Sequence, residues 1–228
     1  FCPDRKAIAV GAGTDALHLA YVLAGIQPGD EVICPVFTCT ATNIPLLYMG
    51  AKLRFADVDP NTLNMDPKHV EELMTEKTKA IIPVHYGGLP CDMDELQRIA
   101  DKGNVTIIED AAHALGAEYK GKSIGSISDY TMFSFQAIKH ITTGDGGMLS
   151  VKHGKAAEAK RIRWFGIDRE AKQGGVWEND IKEIGYKYQM TDISAAMGLA
   201  ALEDFKNILD WRHMLFTVYK SELQAFGD

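Results

Sequence analysis

Residues 129–147 read DYTMFSFQAIKHITTGDGG, and the interpretation of the whole chain starts from this stretch. Its first part, 131–135, is short and apolar and predicts a β-strand that carries Ser134 near its end. Small and polar residues follow, with one lysine, Lys139, and then a cluster of glycines. Residues 147–151 predict the next strand. The sequence therefore predicts a lysine in a loop between two strands.

A second stretch predicts a strand that ends in acids. Residues 105–108 are a short run of β-branched residues, and the sequence EDAAH follows them. Asp110 lies at the end of this predicted strand, and His113 follows three residues later. The ends of parallel strands are where ligands gather in open α/β sheets. We therefore expect Asp110 to lie in the same crevice as Ser134 and Lys139, although they are far apart in sequence.

Strands alternate with helices over residues 7–108, which indicates a mostly parallel sheet with helices on both faces, a three-layer α/β/α sandwich. A glycine-containing loop is expected over 166–182, and a long helix capped by Thr191 or Asp192 is expected to reach about residue 226. The other predicted strands are 7–10, 31–34, 53–58 and 80–84, and the other predicted helices are 15–24, 37–49, 66–74, 93–102 and 154–165.

The first strand leads into a glycine turn, Gly11-Ala12-Gly13-Thr14, and then a helix. The free N–H groups and the positive dipole end of such a helix favour an anion. The same residues satisfy the dinucleotide pattern G-x-G-x-x-G/A, which also needs an acid at the end of the next strand. That strand ends in Cys34-Pro35, so a small phosphate site is favoured over a Rossmann-type site.

Composition excludes several classes of protein. The 228 residues carry a formal net charge of −7 and no uninterrupted basic run, which argues against a nucleic-acid partner. No apolar stretch has the length of about 20 residues that a membrane span needs. The four cysteines show neither metal nor disulfide spacing, so we expect reduced thiols, no metal and a cytoplasmic protein.

Together the candidate residues match the needs of pyridoxal 5′-phosphate (PLP). Its aldehyde needs a lysine amine, for which Lys139 is available as a Schiff base, and its pyridine nitrogen needs a carboxylate such as Asp110. Its phosphate needs N–H and hydroxyl donors, which Gly13, Thr14 and Ser134 offer. Each residue alone has an ordinary structural explanation, such as a solvated lysine or a helix N-cap, so the interpretation depends on their conjunction.

The sequence resembles the DegT/DnrJ/EryC1/StrS family of PLP-dependent sugar aminotransferases, a branch of fold-type I aminotransferases. The resemblance covers about residues 9–202. The most specific stretches are EDAAHA and SFQAIK followed by TTGDGG, and the others include GAGTDALHLA and GYKYQMTDISAAMG.

The resemblance implies roles for individual positions. Lys139 would form the Schiff base, Asp110 would pair with the pyridinium nitrogen, and His113 would reach the 3′-hydroxyl of the ring. Gln136 would lie near the cofactor. Many relatives have an aromatic ring where this chain has Cys39. Many also have an asparagine that reaches the neighbouring subunit's phosphate where this chain has Lys187.

The resemblance also implies an activity and an assembly. An amino acid, glutamate in the first instance, would give its amino group to a keto group of a nucleotide-linked sugar in a homodimer. Residues 1–190 would form the PLP-binding large domain, and 191–228 an interdomain helix leading to a small domain largely absent from this chain. The alternatives are a cyclitol or another keto substrate, a PLP-binding scaffold without turnover, and a Rossmann-type nucleotide-binding module.

Overall fold

The computed structural model describes residues 4–169, 171, 174–175, 181 and 183–226. Nine strands are described: β1 Arg5–Val10, β2 Glu31–Pro35, β3 Lys52–Ala56, β4 Thr78–Ile81, β5 Thr106–Asp110, β6 Glu118–Tyr119, β7 Lys122–Ser123, β8 Tyr130–Ser134 and β9 Gly147–Lys152. The α-helices described are α1 Gly13–Leu23, α2 Thr40–Tyr48, α3 Pro67–Leu73, α4 Met93–Gly103, α5 Ala156–Ile162, α6 Asp192–Glu203 and α7 Phe205–Leu223.

Seven of these strands form one sheet, in the order β1-β9-β8-β5-β4-β2-β3. Both neighbours of β9 pair with it antiparallel, and the pairs from β8 to β3 are parallel. Strand β9 is thus the one strand of this sheet that runs against the rest. The carboxyl ends of β1, β5 and β8 consequently meet at one edge, which confirms the expected mostly parallel α/β sheet.

The layers follow from the alternation of side chains along each strand. In β2, Val32 and Cys34 pack with residues of α1, whereas Ile33 packs with residues of α3 and α4 on the opposite face. Apolar side chains on both faces need helices on both faces, which is why these strands are continuous apolar runs rather than alternating ones.

Two predicted helix starts are confirmed, and one predicted helix is wrong in length. Asp66 caps α3 by accepting a hydrogen bond from the N–H of Lys68, and Thr191 caps α6 by accepting one from the N–H of Ser194. The single helix expected from 191 to 226 is interrupted at Asp204, where φ is −98° and ψ is 3°. Phe205, the first residue after the interruption, is buried.

Phe205 packs against a third apolar cluster beside the lysine loop, together with Ala111, Phe133 and Phe135. A Cβ atom at Gly116 would lie 3.1 Å from the Phe205 ring and 2.8 Å from Leu209. The beginning of α7 therefore packs closely on the segment around Gly116. The predicted loop 166–182 contains residues 170, 172–173, 176–180 and 182, which lie outside the described residues.

Candidate active site at the carboxyl edge of the sheet

The start of α1 supplies unpaired backbone donors. Its N-cap residue is Ala12, whose side chain accepts no hydrogen bond, so the N–H groups of Gly13 and Thr14 have no partner within the helix. Gly13 is buried and lies against β8, since a Cβ atom there would be 3.2 Å from the Ser134 hydroxyl oxygen. The predicted phosphate residues Gly13, Thr14 and Ser134 are therefore brought together.

The turn before α1 is held from the other side by residues 186–189. The N–H of Gly11 donates to the carbonyl oxygen of Tyr188 at 2.7 Å, and Val10 forms an antiparallel bridge with Gln189. This segment extends the edge of the sheet next to β1. The backbone of the turn is therefore fixed before any ligand binds.

Asp110 ends β5 and is 4% exposed. Its Oδ2 accepts a hydrogen bond from the Thr42 hydroxyl at 2.7 Å, and its Oδ1 accepts one from the N–H of Ala112 at 3.1 Å. Burial raises the pKa of this carboxyl, while the hydrogen bonds from Thr42 and Ala112 act in the opposite direction. Asp110 is therefore a buried acid that two donors orient.

His113 lies half-buried beside the acid and the lysine. The N–H of Gly87 donates to its Nδ1 at 3.3 Å, so the proton of the neutral ring is on Nε2. Burial and the nearby charge of Lys139 lower the pKa of His113, and the charge of Asp110 acts against them. Because both charges act on one imidazole, Lys139, His113 and Asp110 belong to one electrostatic cluster.

The lysine loop is organised by short-range hydrogen bonds. The N–H of Gln136 donates to the Ser134 hydroxyl at 3.3 Å, and the Gln136 side chain accepts from the N–H of Ile138 at 3.1 Å. The N–H of Lys139 closes a turn onto the carbonyl oxygen of Gln136 at 2.9 Å. Lys139 is half-buried, and its amine makes no hydrogen bond or ion pair within the described part of the chain.

Two further predicted cofactor residues are Cys39 and Lys187. Cys39 is exposed at the N-cap of α2. Lys187 is exposed, and its Nζ lies 3.6 Å from the centre of the Trp164 ring, a cation–π contact. Cys34 and Cys91 are buried free thiols, and Cys2 lies outside the described residues.

A buried polar network underlies the site and was not predicted. His85 Nε2 lies 2.8 Å from Glu109, and both side chains are fully buried. The N–H of Cys91 donates to His85 Nδ1 at 3.1 Å, so the ring proton is on Nε2 and points at the carboxylate. Glu109 also accepts from the Thr131 hydroxyl. Although burial raises the pKa of Glu109, the hydrogen bond from His85 and then that from Thr131 lower it overall.

Sequence reasoning also missed Thr42. The signal was present in the threonine-rich stretch 38–42, TCTAT, in which Thr38 and Thr42 are four residues apart. In the helix predicted over 37–49, that spacing would put two hydroxyls on one face, although α2 begins only at Thr40 and Thr38 precedes it. Nothing in the local pattern says that Thr42 faces Asp110, which is 68 residues away.

A model of the DegT/DnrJ/EryC1/StrS aminotransferase family matches residues 1–228. The chain belongs to this family. GDP-perosamine synthase of Caulobacter vibrioides is 42% identical to it over 229 residues, covering 100% of this chain and 60% of that protein. UDP-4-amino-4-deoxy-L-arabinose–oxoglutarate aminotransferase of Shewanella sediminis is 39% identical over 229 residues, covering 98% of this chain and 58% of that protein.

Solved structures of the family have the same architecture. Spr1654 from Streptococcus pneumoniae superimposes with a TM-score of 0.90 at 35% identity, covering 96% of this chain and 61% of that one. That protein has been solved in a PMP form and a PLP form. The chain thus spans about three fifths of the length of the relatives it matches.

Proposed function

We propose that the chain is the cofactor-binding part of a PLP-dependent aminotransferase that moves an amino group from an amino acid to a keto group of a nucleotide-linked sugar. The observation that carries the proposal is the meeting of Lys139, His113 and the buried Asp110 with the open start of α1 at one edge of the sheet. The family membership and the names of the relatives support it.

The residues at the start of α1 fit a phosphate group. The N–H groups of Gly13 and Thr14 and the hydroxyl of Ser134 are donors gathered at a helix N-terminus, which favours an anion. Gly147 packs closely against this turn, since a Cβ atom there would lie 2.7 Å from the N of Gly13. These residues would bind and orient the cofactor through its phosphate.

Asp110 fits the pyridine nitrogen of PLP. A buried carboxylate is costly unless a positive group pairs with it, and burial raises its pKa here. A protonated pyridine nitrogen would supply that partner. PLP bound in this way acts as an electron sink that stabilises negative charge on the carbon next to the amine. The role of Asp110 is to keep the ring nitrogen protonated.

His113 and Lys139 fit the other side of the ring. With its proton on Nε2, His113 would donate a hydrogen bond to the ring hydroxyl. The Lys139 amine would hold the cofactor covalently and, once an amino donor has displaced it, would carry a proton between the donor carbon and the cofactor. Gln136 would border the same loop, and the exposed Cys39 would border the cofactor where relatives have an aromatic ring.

The proposed substrates are those that the names of the relatives indicate. One is a synthase of GDP-perosamine and another is named as an aminotransferase of a UDP-linked amino sugar and oxoglutarate. Oxoglutarate is the keto acid that glutamate becomes when it gives up its amino group, so glutamate is the proposed donor. A nucleotide-linked keto sugar is the proposed acceptor, and a cyclitol is the second candidate.

The proposed assembly is a cytoplasmic homodimer. Large apolar side chains are exposed on α6 and α7, including Ile193 at 78% and Phe216 at 67%, and such surfaces favour a partner or a further domain. We propose residues 1–190 as the large domain and 191–228 as the connection to a small domain. Lys187, which is exposed, would reach the phosphate of the second copy. No helix among the described residues is long and apolar enough to cross a membrane.

The test is to reduce the PLP-loaded full-length protein with borohydride, which fixes the cofactor on the lysine to which it is joined, and to map the labelled peptide. The label is expected on Lys139 and is expected to vanish in Lys139→Ala. Lys102→Ala is the matched control, because Lys102 is an exposed lysine that pairs with Glu71. A label that stays in Lys139→Ala would refute the proposal.

A second measurement separates an enzyme from a scaffold. Glutamate is expected to shift the visible absorbance of the bound cofactor, and a panel of keto-sugar nucleotides is expected to restore it for one acceptor. If neither glutamate nor another amino donor changes the absorbance, the protein binds PLP without turnover.

A further inference from the structure

Two threonines, Thr38 and Thr42, form a hydrogen-bonded pair at the beginning of α2, and Thr42 contacts the buried acid Asp110. Thr42 is fully buried in α2, with 0% exposure. Its hydroxyl lies 2.7 Å from Asp110 Oδ2 and 2.7 Å from the hydroxyl of Thr38. The Tyr21 hydroxyl donates to the backbone carbonyl oxygen of Thr42 at 2.8 Å. Thr42 is thus fixed at both its backbone and its side chain.

The direction of these hydrogen bonds follows from the number of protons. An ionised carboxylate only accepts, so the single proton of the Thr42 hydroxyl goes to Asp110. The Thr42 oxygen is then free to accept, and Thr38 donates to it. The result is two linked hydrogen bonds that run in one direction: Thr38 donates to Thr42, and Thr42 donates to Asp110. Hydrogen bonds in such a chain strengthen one another in a low-dielectric interior.

These two linked hydrogen bonds offset part of the free-energy cost of burying a charged carboxylate at position 110. Burial raises the pKa of Asp110, and the hydrogen bond from Thr42 is the foremost influence in the other direction, followed by that from Ala112. A donor at 2.7 Å to a charged acceptor is a strong, charge-assisted hydrogen bond. Without it, the proton shared with a bound pyridine nitrogen would move toward the carboxylate.

We propose that Thr42 is a positioning residue for the cofactor: its hydroxyl, aligned by Thr38, orients the Asp110 carboxylate and keeps it ionised for pairing with the ring nitrogen. This inference rests on the proposed function. Thr42 acts through Asp110 and does not touch the cofactor in this account. It therefore controls how well Asp110 holds the ring nitrogen protonated, and hence how tightly PLP binds.

The test compares three variants of the full-length protein. Thr42→Val removes the hydroxyl at nearly constant size, and Thr42→Ser restores it without the methyl group. Thr40→Val is the matched control, because it makes the same substitution at an exposed position of the same helix. The pKa of the Asp110 carboxyl is measured by carbon-13 NMR in the protein without cofactor, and the PLP dissociation constant is measured by absorbance titration.

Thr42→Val is expected to raise the Asp110 pKa and to weaken PLP binding by about tenfold or more, the scale of one hydrogen bond to a charged group. Thr42→Ser and Thr40→Val are expected to stay near wild type in both measurements. A purely structural role would lower stability without moving the carboxyl pKa, and an unchanged pKa in Thr42→Val overturns the inference.

The two proposals fail in different ways. If the wild-type protein binds no PLP, the proposed function and the part of the inference that concerns the cofactor both fail. If wild type binds PLP and Thr42→Val binds it equally well, the inference about Thr42 alone fails. If Thr42→Val does not fold, Thr38→Val provides the test instead. Loss of the Thr38 donor is expected to raise the pKa of Asp110, and an unchanged Asp110 pKa in this variant overturns the inference.

Discussion

Gly147 lies against the backbone that opens α1: a Cβ atom at Gly147 would overlap the carbonyl oxygen of Ala12. Gly147 starts β9, the one antiparallel strand of the main sheet, and Ala12 is the N-cap of α1. The contact joins the end of the lysine loop to the proposed phosphate turn. Position 147 needs a glycine because the two backbone segments lie so close that a Cβ atom would overlap backbone atoms of Ala12 and Gly13.

Gly147→Ala is expected to lower the free energy of unfolding by about 1–3 kcal/mol, the usual cost of forcing atoms into a packed site. It is also expected to weaken PLP binding, since the backbone at Ala12 and Gly13 must shift. Chemical denaturation and absorbance titration measure the two effects. Gly154→Ala is the control, because a Cβ atom there meets nothing within 4 Å. Wild-type PLP binding in Gly147→Ala would contradict the proposed position of the phosphate.

Lys139→Met is expected to raise the pKa of His113. Burial and the positive charge of Lys139 lower that pKa, and methionine removes the charge while keeping a side chain of similar length. Histidine-selective NMR titration of the cofactor-free protein measures it. Lys102→Met, which removes an exposed lysine paired with Glu71, is expected to leave His113 unchanged. Equal His113 titrations in Lys139→Met and wild type would mean that the two side chains do not share a site.

Glu109→Gln is expected to cost about 1.5–3 kcal/mol of stability at pH 7, because the hydrogen bond from His85 loses its charged acceptor. The pKa of Glu109 is lowered in the folded protein, despite the opposing effect of burial, by His85 and Thr131. The folded state therefore binds its proton less tightly than the unfolded chain does. This contribution is complete above the unfolded pKa of 4.5 and is lost as the pH falls through the folded value.

The difference in stability between Glu109→Gln and wild type is thus expected to shrink on acidification. Urea denaturation at pH 7 and near pH 4 measures it. Glu118→Gln, at an exposed glutamate of β6, is expected to match wild type at both values. A Glu109→Gln penalty that stays constant over this range would show that the carboxylate charge does not contribute.

Asp15→Asn is expected to stabilise the protein above pH 6. Burial, and then the nearby charge of Asp145, raise the pKa of Asp15 from 3.8 to about 6. The folded state therefore binds this proton more tightly than the unfolded chain, so ionisation of Asp15 removes stability as the pH rises from about 4 to about 6. Asparagine cannot ionise and avoids that loss.

Melting temperatures measured from pH 4 to pH 8 test this prediction. The Asp15→Asn protein is expected to match wild type near pH 4 and to melt higher at pH 8, and the exposed control Glu76→Gln is expected to show no such trend. If the Asp15→Asn protein is less stable than wild type at pH 8, then ionisation of Asp15 does not destabilise the folded protein.

Local sequence patterns account for most of the elements and several of their ends. Apolar runs bounded by glycine or proline predicted the strands, and the Asp66-Pro67 pair predicted the start of α3. Short signals of this kind work because propensity and capping depend on residues a few positions apart. The break at Asp204 escaped the same reasoning. Phe205 and Leu209, which follow it, pack against Gly116, and this contact joins positions remote in the sequence.

In the candidate site, too, local sequence patterns account for one part and the tertiary structure for another. Lys139, Asp110 and the glycine turn were selected as candidates from residue type and from their positions after predicted strands, and the proposed role of His113 came from the family resemblance. Their meeting needed the sheet order, in which β1, β8 and β5 present their carboxyl ends at one edge. Parallel pairing supplies that edge, and it joins residues that are remote in the chain.

The sequence by itself determined the alternation of strands and helices, the lysine loop and the acid at a strand end, because these depend on local periodicity and residue type. Only the tertiary structure decided that Thr42 donates to Asp110, that His85 binds Glu109, and that Lys187 packs on Trp164. Each of these contacts joins residues from different elements. Their distances are set by how the elements pack, and packing is a property of the whole chain rather than of any window within it.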